Sequence, residues 1–368
     1  MRHYNRAIFN ILLVVALAVF VRAIPAHALV PQNGANQKPA TQVPPLTVDQ
    51  DPVRSPDGAA PGGNPTSPNE PPLEKQGKGF VLHTNVDEVV LNATVLENGH
   101  LVQNLTKNDF TVFEDGVKQT ILSFQHTDLP VSLGLIIDNS GSMYKKRPAV
   151  NEAAVDLVQS SNPQDQAFVV NFSDEAFLDQ DFTSKISQLR DGLSHIDSRG
   201  GTALYDAVVA AADHLVEQGT RPKQVLVVIT DGDDNASTLT LLQTIRRVQE
   251  LSGPVIYTIG LLYGDEMSRE EVRHAKRALE EMATDTGGIA FFPKSLNQVD
   301  EIAGEVARDI RSQYTIGYRS TKPMSEGGFR RVEVTAEGKG MGKLTVRTRP
   351  GYFPSVNLGK HQMTSRGQ

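Results

Sequence analysis

Four near-continuous apolar runs constrain this chain more than any other feature: "VSLGLIID" (131–138), "AFVVNF" (167–172), "QVLVVITD" (224–231) and "PVIYTIGL" (254–261). Each is too short for a helix of ordinary length and lacks the polar alternation of a half-exposed strand. Such runs belong to parallel strands covered on both faces. Amphipathic segments lie between them. In "TALYDAVVAAADHLVEQG", Leu204, Val208, Ala211 and Leu215 share one helical face and Gly219 ends the pattern. Ser268 with Glu271, and Ser295 with Gln298, have the spacing of capping boxes that open the last two helices. The final helix carries Val299, Ile302, Val306 and Ile310 as its buried stripe. Alternation of this kind predicts an α/β fold: a doubly wound, mostly parallel sheet with helices on both faces, over residues 128–312.

The flanks have a different period. "VVLNATVLENGHLV" turns at Asn98-Gly99 and "FTVFEDGVKQTILSF" turns at Asp115-Gly116, both strong hairpin signals. Beyond the α/β region, "QYTIGYRS", "RRVEVTAEG" and "GKLTVRTRPGYF" supply three more strands. Neither flank has enough strands to stand alone in water. Residues 80–127 and 313–354 are therefore expected to combine as one small all-β sandwich, with the α/β domain inserted between them.

At the amino end, Arg2 and Arg6 precede eleven uninterrupted apolar residues (Ile11–Val21), and "AHA" (26–28) offers small residues for cleavage. That pattern predicts a secretory leader over residues 1–28. A membrane-spanning helix needs about 17 to 25 apolar residues, so membrane attachment is expected only if the leader stays uncleaved. Residues 29–79 hold eleven of the 21 prolines and are expected to form a disordered tether, with a second disordered segment at 355–368. The absence of cysteine excludes disulfides and a lipidated amino terminus. Loss of the leader removes three arginines and no acids, moving the net charge from −7 to −10. That balance argues against nucleic acid as a partner.

Ligands of doubly wound folds bind beyond the carboxyl ends of the strands. There the sequence places Asp138 followed by "NSGS", and Asp231 followed by "GDDN", while "SRGGTALYD" sets Thr202 at a helix start. A turn alone accounts for Asp, Asn, Ser and Gly in such loops. Taken together, Asp138, Ser140, Ser142, Thr202 and Asp231 form an all-oxygen set without His or Cys. That set suits Mg²⁺, with Mn²⁺ or Ca²⁺ as alternatives, better than zinc or copper. An EF-hand starting at Asp231 fails, because Ala236 and Leu242 stand where its Gly and Glu belong.

"DNSGS", "GGT" and "TDG" resemble, in that order, the three metal loops of the von Willebrand factor type A domain. The flanking "FTVFEDG" and "YTIGY … GYF" resemble the secreted bacterial members of that family. The resemblance implies a metal-ion-dependent adhesion site at Asp138, Ser140, Ser142, Thr202 and Asp231. In that site hydroxyls contact the ion, aspartates act largely through water, and one position stays open for an Asp or Glu of a partner protein. The expected function is that of an exported, periplasmic or secreted, non-enzymatic binding protein. The alternatives are a metal-assisted hydrolase or a structural subunit of an envelope complex. Neighbouring charges have plainer expectations. Lys145, Lys146 and Arg147 suggest a solvated basic cluster, Asp233 and Asp234 a solvated acidic loop, and Asp206 a brace for the Thr202 loop.

Overall fold

The computed structural model describes residues 47–48 and 88–354, apart from 161, 196–197, 252 and 265–266. The expected leader and carboxyl-terminal tail lie outside the described residues, as does the expected tether except for Thr47–Val48, which form β1. The first flank contains β2 (Glu88–Glu97), β3 (His100–Leu101), β4 (Phe110–Glu114) and β5 (Val117–Gln125). The middle runs through β6 (Val131–Asp138), α1 (Arg147–Gln159), β7 (Gln166–Phe172), β8 (Ala176–Thr183), α2 (Ile186–Leu193) and α3 (Leu204–Gln218). It continues with β9 (Lys223–Thr230), α4 (Leu241–Leu251), β10 (Val255–Gly260), α5 (Arg269–Thr284), β11 (Ala290–Phe291) and α6 (Val299–Arg311). The second flank adds β12 (Tyr314–Arg319), β13 (Arg330–Ala336), β14 (Leu344–Arg347) and β15 (Gly351–Tyr352).

Among the described residues, the middle segment together with β1 builds a seven-stranded sheet in the order β1-β8-β7-β6-β9-β10-β11, so Thr47–Val48 form a strand where the sequence predicts only a disordered tether. Its strands are parallel except that β8 runs antiparallel to β7, and β1 lines up parallel with β8 at the edge. The sheet is covered twice. Leu133, Leu135 and Ile137 of β6 point into a core shared with α1, α2 and α6, whereas Ile136 points into a second core made with α3, α4 and α5. This two-sided burial is why every residue of β6, β9 and β10 is buried. Gly134 belongs to the second face, where an added Cβ would lie 2.5 Å from the Phe168 ring, so its bareness makes room for that ring.

The central strand β6 pairs with β7 on one side and with β9 on the other. The chain leaves β6 toward one neighbour and returns to the opposite one. A crevice therefore opens at the carboxyl ends of β6 and β9.

Both flanks combine, as their strand counts demand, but not as two facing sheets. They form one continuous eight-stranded antiparallel sheet, ordered β14-β2-β12-β5-β4-β13-β15 with β3 attached to β2. The cause is β12, which hydrogen-bonds to β2 and β5 at once and leaves no break at which a sandwich divides. The sheet curls until β13 stands beside β14, enclosing Leu91, Ala93, Val95, Val112, Tyr314, Ile316 and Val332. The two hairpin turns are as the sequence implies: Asn98 and Gly99, and Asp115 and Gly116, all have positive φ. Of the two capping boxes, Ser268 and Glu271 form theirs. Ser295 does not, because the Gln298 carboxamide accepts from the Lys294 N–H instead.

Candidate metal centre

Asp138 ends β6 with no exposed surface. Its Oδ1 accepts the Ser140 N–H at 2.8 Å and its Oδ2 accepts the Thr230 hydroxyl at 2.5 Å. Both carboxylate oxygens are thus committed to holding the ends of β6 and β9 and the loop between β6 and α1. Burial pushes this carboxyl up to about 6, with the nearby Asp231 charge adding to the rise and the hydrogen bonds opposing it.

The loop itself is shaped by a single 3₁₀ turn, Gly141–Met143. Met143 is fully buried in the core beneath, and its insertion turns Ser140 and Ser142 toward each other, with their hydroxyl oxygens 3.2 Å apart. Ser142 in turn donates to Asp231 Oδ1 at 2.7 Å, across from the loop that follows β9. Thr202 stands just ahead of α3. Its N–H donates to Asn235 Oδ1 at 2.9 Å, and its carbonyl accepts from the N–H groups of Asn235 and Ala236. Its hydroxyl oxygen lies 3.4 Å from the place a Cβ on Gly232 would take. Residues drawn from three loops separated by up to 93 positions thus meet at one sheet end: Ser140, Ser142 and Asp231 in a hydrogen-bonded row, Thr202 against Gly232, and Asp138 below.

Four participants were not legible as such in the sequence. Thr230, which orients Asp138, is hidden as the last residue of an apolar run. Asn235, although exposed, fastens the third loop to Thr202. Lys146 and Arg147 correct the expectation of a solvated basic cluster, since only Lys145 of the three is exposed. The Lys146 ammonium sits 2.6 Å from Asp231 Oδ2. Arg147 is buried completely, donating to Asn171 Oδ1 and the Leu193 carbonyl, because it opens α1 underneath the loop. Burial lowers its guanidinium to about 10, opposed by the charges of Asp138 and Asp179.

Asp233 and Asp234 also depart from a freely solvated loop. Asp233 pairs with His274 at 2.6 Å, and Asp234 accepts from the Tyr205 N–H and the Ser237 hydroxyl. Their divergence removes the EF-hand geometry as well. Asp206 braces a loop, but it is the loop after β9, through the N–H groups of Thr238 and Leu239.

The donor chemistry fits a hard cation. The Ser140 and Ser142 hydroxyls and Asp231 form one hydrogen-bonded row, the Thr202 hydroxyl stands beside Gly232, every donor atom is oxygen, and a positive group already rests on Asp231. Among the described residues no cluster of three or more His, Asp or Glu side chains offers a rival centre.

Comparison with known proteins agrees with this reading of the fold. Residues 133–305 match the family model of the von Willebrand factor type A domain. Inter-alpha-trypsin inhibitor heavy chain H4 of Bos taurus is 22% identical over 259 residues, covering 66% of this chain and 26% of that protein. The chain thus spans about a quarter of the length of the curated relatives it matches. Among solved structures, it is similar to a von Willebrand factor type A protein from Catenulispora acidiphila, with a TM-score of 0.42, 15% identity and 75% of each chain covered. It is also similar to proximal thread matrix protein 1 from the mussel byssus, solved with a zinc-occupied MIDAS motif, with a TM-score of 0.40 and 18% identity over 55% of this chain and 50% of that one.

Proposed function

From the premise that residues 133–305 form a von Willebrand factor type A domain, we propose that this chain is an exported, non-enzymatic binding protein. Its crevice holds a divalent cation, Mg²⁺ in the first instance, and through it engages an acidic side chain of a partner protein. The observation that carries the proposal is the row formed by Ser140, Ser142 and Asp231 at the joint end of β6 and β9, with Thr202 beside it.

Ser140, Ser142, Thr202 and Asp231 are the residues that would hold the ion. Asp138, buried and saturated by Ser140 and Thr230, anchors their loop. When bound, the cation supplies an electrophilic point for an incoming carboxylate. Neutral hydroxyls suit that task because they leave more of the ion's charge uncompensated than carboxylates would. The same hydroxyls are poorly placed for hydrolysis. Ser142 donates to a carboxylate and Ser140 faces Ser142, and among the described residues their hydrogen-bond partners include no imidazole to serve as a base.

Calorimetric titration of Mg²⁺ into the full chain tests the proposal. Saturable binding at one site is expected, weakened by about tenfold or more in Ser140→Ala, the loss of one oxygen ligand. Absence of binding in the unaltered protein would refute it. Capture of a protein partner should likewise disappear with a chelator and with Asp138→Ala.

A further inference from the structure

The ammonium of Lys146 lies 2.6 Å from Asp231 Oδ2, and the pair is not a surface ion pair: the Asp231 side chain has no exposed area and that of Lys146 is 13% exposed. The centroid of the Tyr263 ring, in the loop after β10, stands 5.8 Å from the same ammonium, within the range of a cation–π contact. Asp231 therefore spends one oxygen on Ser142 and the other on Lys146. Counted with buried Arg147, the two positive groups at the start of α1 offset the two carboxylates, Asp138 and Asp231, at the strand ends.

We infer that Lys146 is a tethered competitor for the cation site: its ammonium neutralises Asp231 in the metal-free protein, and a divalent ion binds only as Lys146 leaves that carboxylate. The inference rests on the metal-binding reading above and adds to it a residue that sets the affinity. The physical reason is the cost of an unpaired buried carboxylate, which is large enough that the site needs a positive charge at all times. A lysine suits the role because its compact charge sits on a flexible stem and leaves without disturbing the loop backbone. The arrangement implies a protein that stays folded without metal and that binds metal weakly.

The test compares the full chain with Lys146→Met and, as a control, Lys145→Met. Calorimetry with Mg²⁺ should show Lys146→Met binding about tenfold tighter or more, with Lys145→Met within about twofold of the parent, a separation of one decade in equilibrium constant. Lys146→Met should also melt lower than the parent in chelator and gain more from Mg²⁺. Should that variant fail to fold, the unaltered protein decides: acylation of Lys146, read by peptide mass spectrometry against exposed Lys145, should rise several-fold when Mg²⁺ is added. Equal metal affinity in parent and variant, or unchanged Lys146 acylation while calorimetry registers Mg²⁺ binding, overturns this inference alone. No Mg²⁺ binding by either protein overturns the functional reading and the inference together.

Discussion

Thr230 donates its hydroxyl to Asp138 Oδ2 at 2.5 Å, joining the last residue of β9 to the last residue of β6. The parallel register explains the pairing, because Ile137 is level with Ile229 and the next residue of each strand follows in step. Asp138 cannot rotate without losing either this bond or the one from Ser140. Thr230→Val keeps the side-chain shape and removes the donor. Although Thr230 is not among the proposed ligands, Mg²⁺ affinity should fall by about tenfold, as is usual when the group that orients a metal loop is lost. Stability should drop by about 1 to 2 kcal/mol in urea titration, the cost of an unmade buried hydrogen bond. Unchanged affinity would separate Asp138 orientation from the site.

Asp309, near the end of α6, ties the two sheets together. Its Oδ2 accepts the Tyr257 hydroxyl of β10 at 2.5 Å and the Thr94 hydroxyl of β2 at 3.5 Å, and its Oδ1 pairs with Arg347 of β14. The Tyr257 hydroxyl also accepts from Gln313. Asp309→Ala strands a largely buried arginine and removes the acceptor of two hydroxyls. A loss of about 3 kcal/mol is expected on the scale of broken buried ion pairs. Urea unfolding followed by circular dichroism measures it, and a loss below about 0.5 kcal/mol, the ordinary range of surface changes, would show that the junction does not depend on this residue.

Local patterns in the sequence were sufficient where neighbours in the chain decide the outcome. The buried strands, the hairpin turns at Asn98-Gly99 and Asp115-Gly116 and the Ser268 capping box all depend on residues within a few positions of one another. Asp138 and Asp231 were placed at one sheet end because strand ends of a doubly wound fold converge there. What escaped depends on partners distant in sequence. The insertion of β12 between β2 and β5 joins it to strands 225 and 192 residues away, counted from Ile316 to Leu91 and Phe124, and nothing in "YTIGYR" specifies two neighbours rather than one. Lys146 belongs to the same class: beside exposed Tyr144 and Lys145 it resembles any surface lysine, until the fold brings Asp231 against it. Gln298 shows the opposite failure, a local motif defeated by a neighbouring competitor, the Lys294 N–H.

Arg147 anchors the first turn of α1 to the strands below. It reaches Asn171 of β7, which itself bonds to Asp179 of β8, and it caps the Leu193 carbonyl at the end of α2. The charges of Asp138 and Asp179 favour its charged form. Arg147→Met preserves much of the packing volume but leaves both carboxylates without their cation. A destabilisation of about 3 kcal/mol is expected by the same reasoning as for Asp309, partly recovered on addition of Mg²⁺. Recovery is read as a larger melting-temperature rise with Mg²⁺ than the unaltered protein shows, and equal rises would argue that the arginine does not compensate Asp138.

Lys223 offers a test that depends on pH alone. It begins β9, is buried, and donates to the Ile310 carbonyl at the end of α6 at 2.8 Å. Burial drives its ammonium down to about 8 from an ordinary 10.5, against the pull of Asp128, Asp309 and Asp165. Between those values the unfolded chain holds a proton that the folded chain has released. Stability therefore rises with pH across the window from 8 to 10.5, and below pH 8 the full cost of burying the charge is present. Lys223→Met lacks the titrating group, so the stability of the unaltered protein relative to the variant should increase by about 2 to 3 kcal/mol between pH 7.5 and 10. The buried tyrosines Tyr257 and Tyr318, whose hydroxyls are pushed upward by burial, are common to both proteins and cancel in that difference. Urea titrations at the two pH values provide the measurement. A difference that stays flat would mean that Lys223 keeps its proton in the folded state, with Ile310 and the three aspartates holding the charge in place.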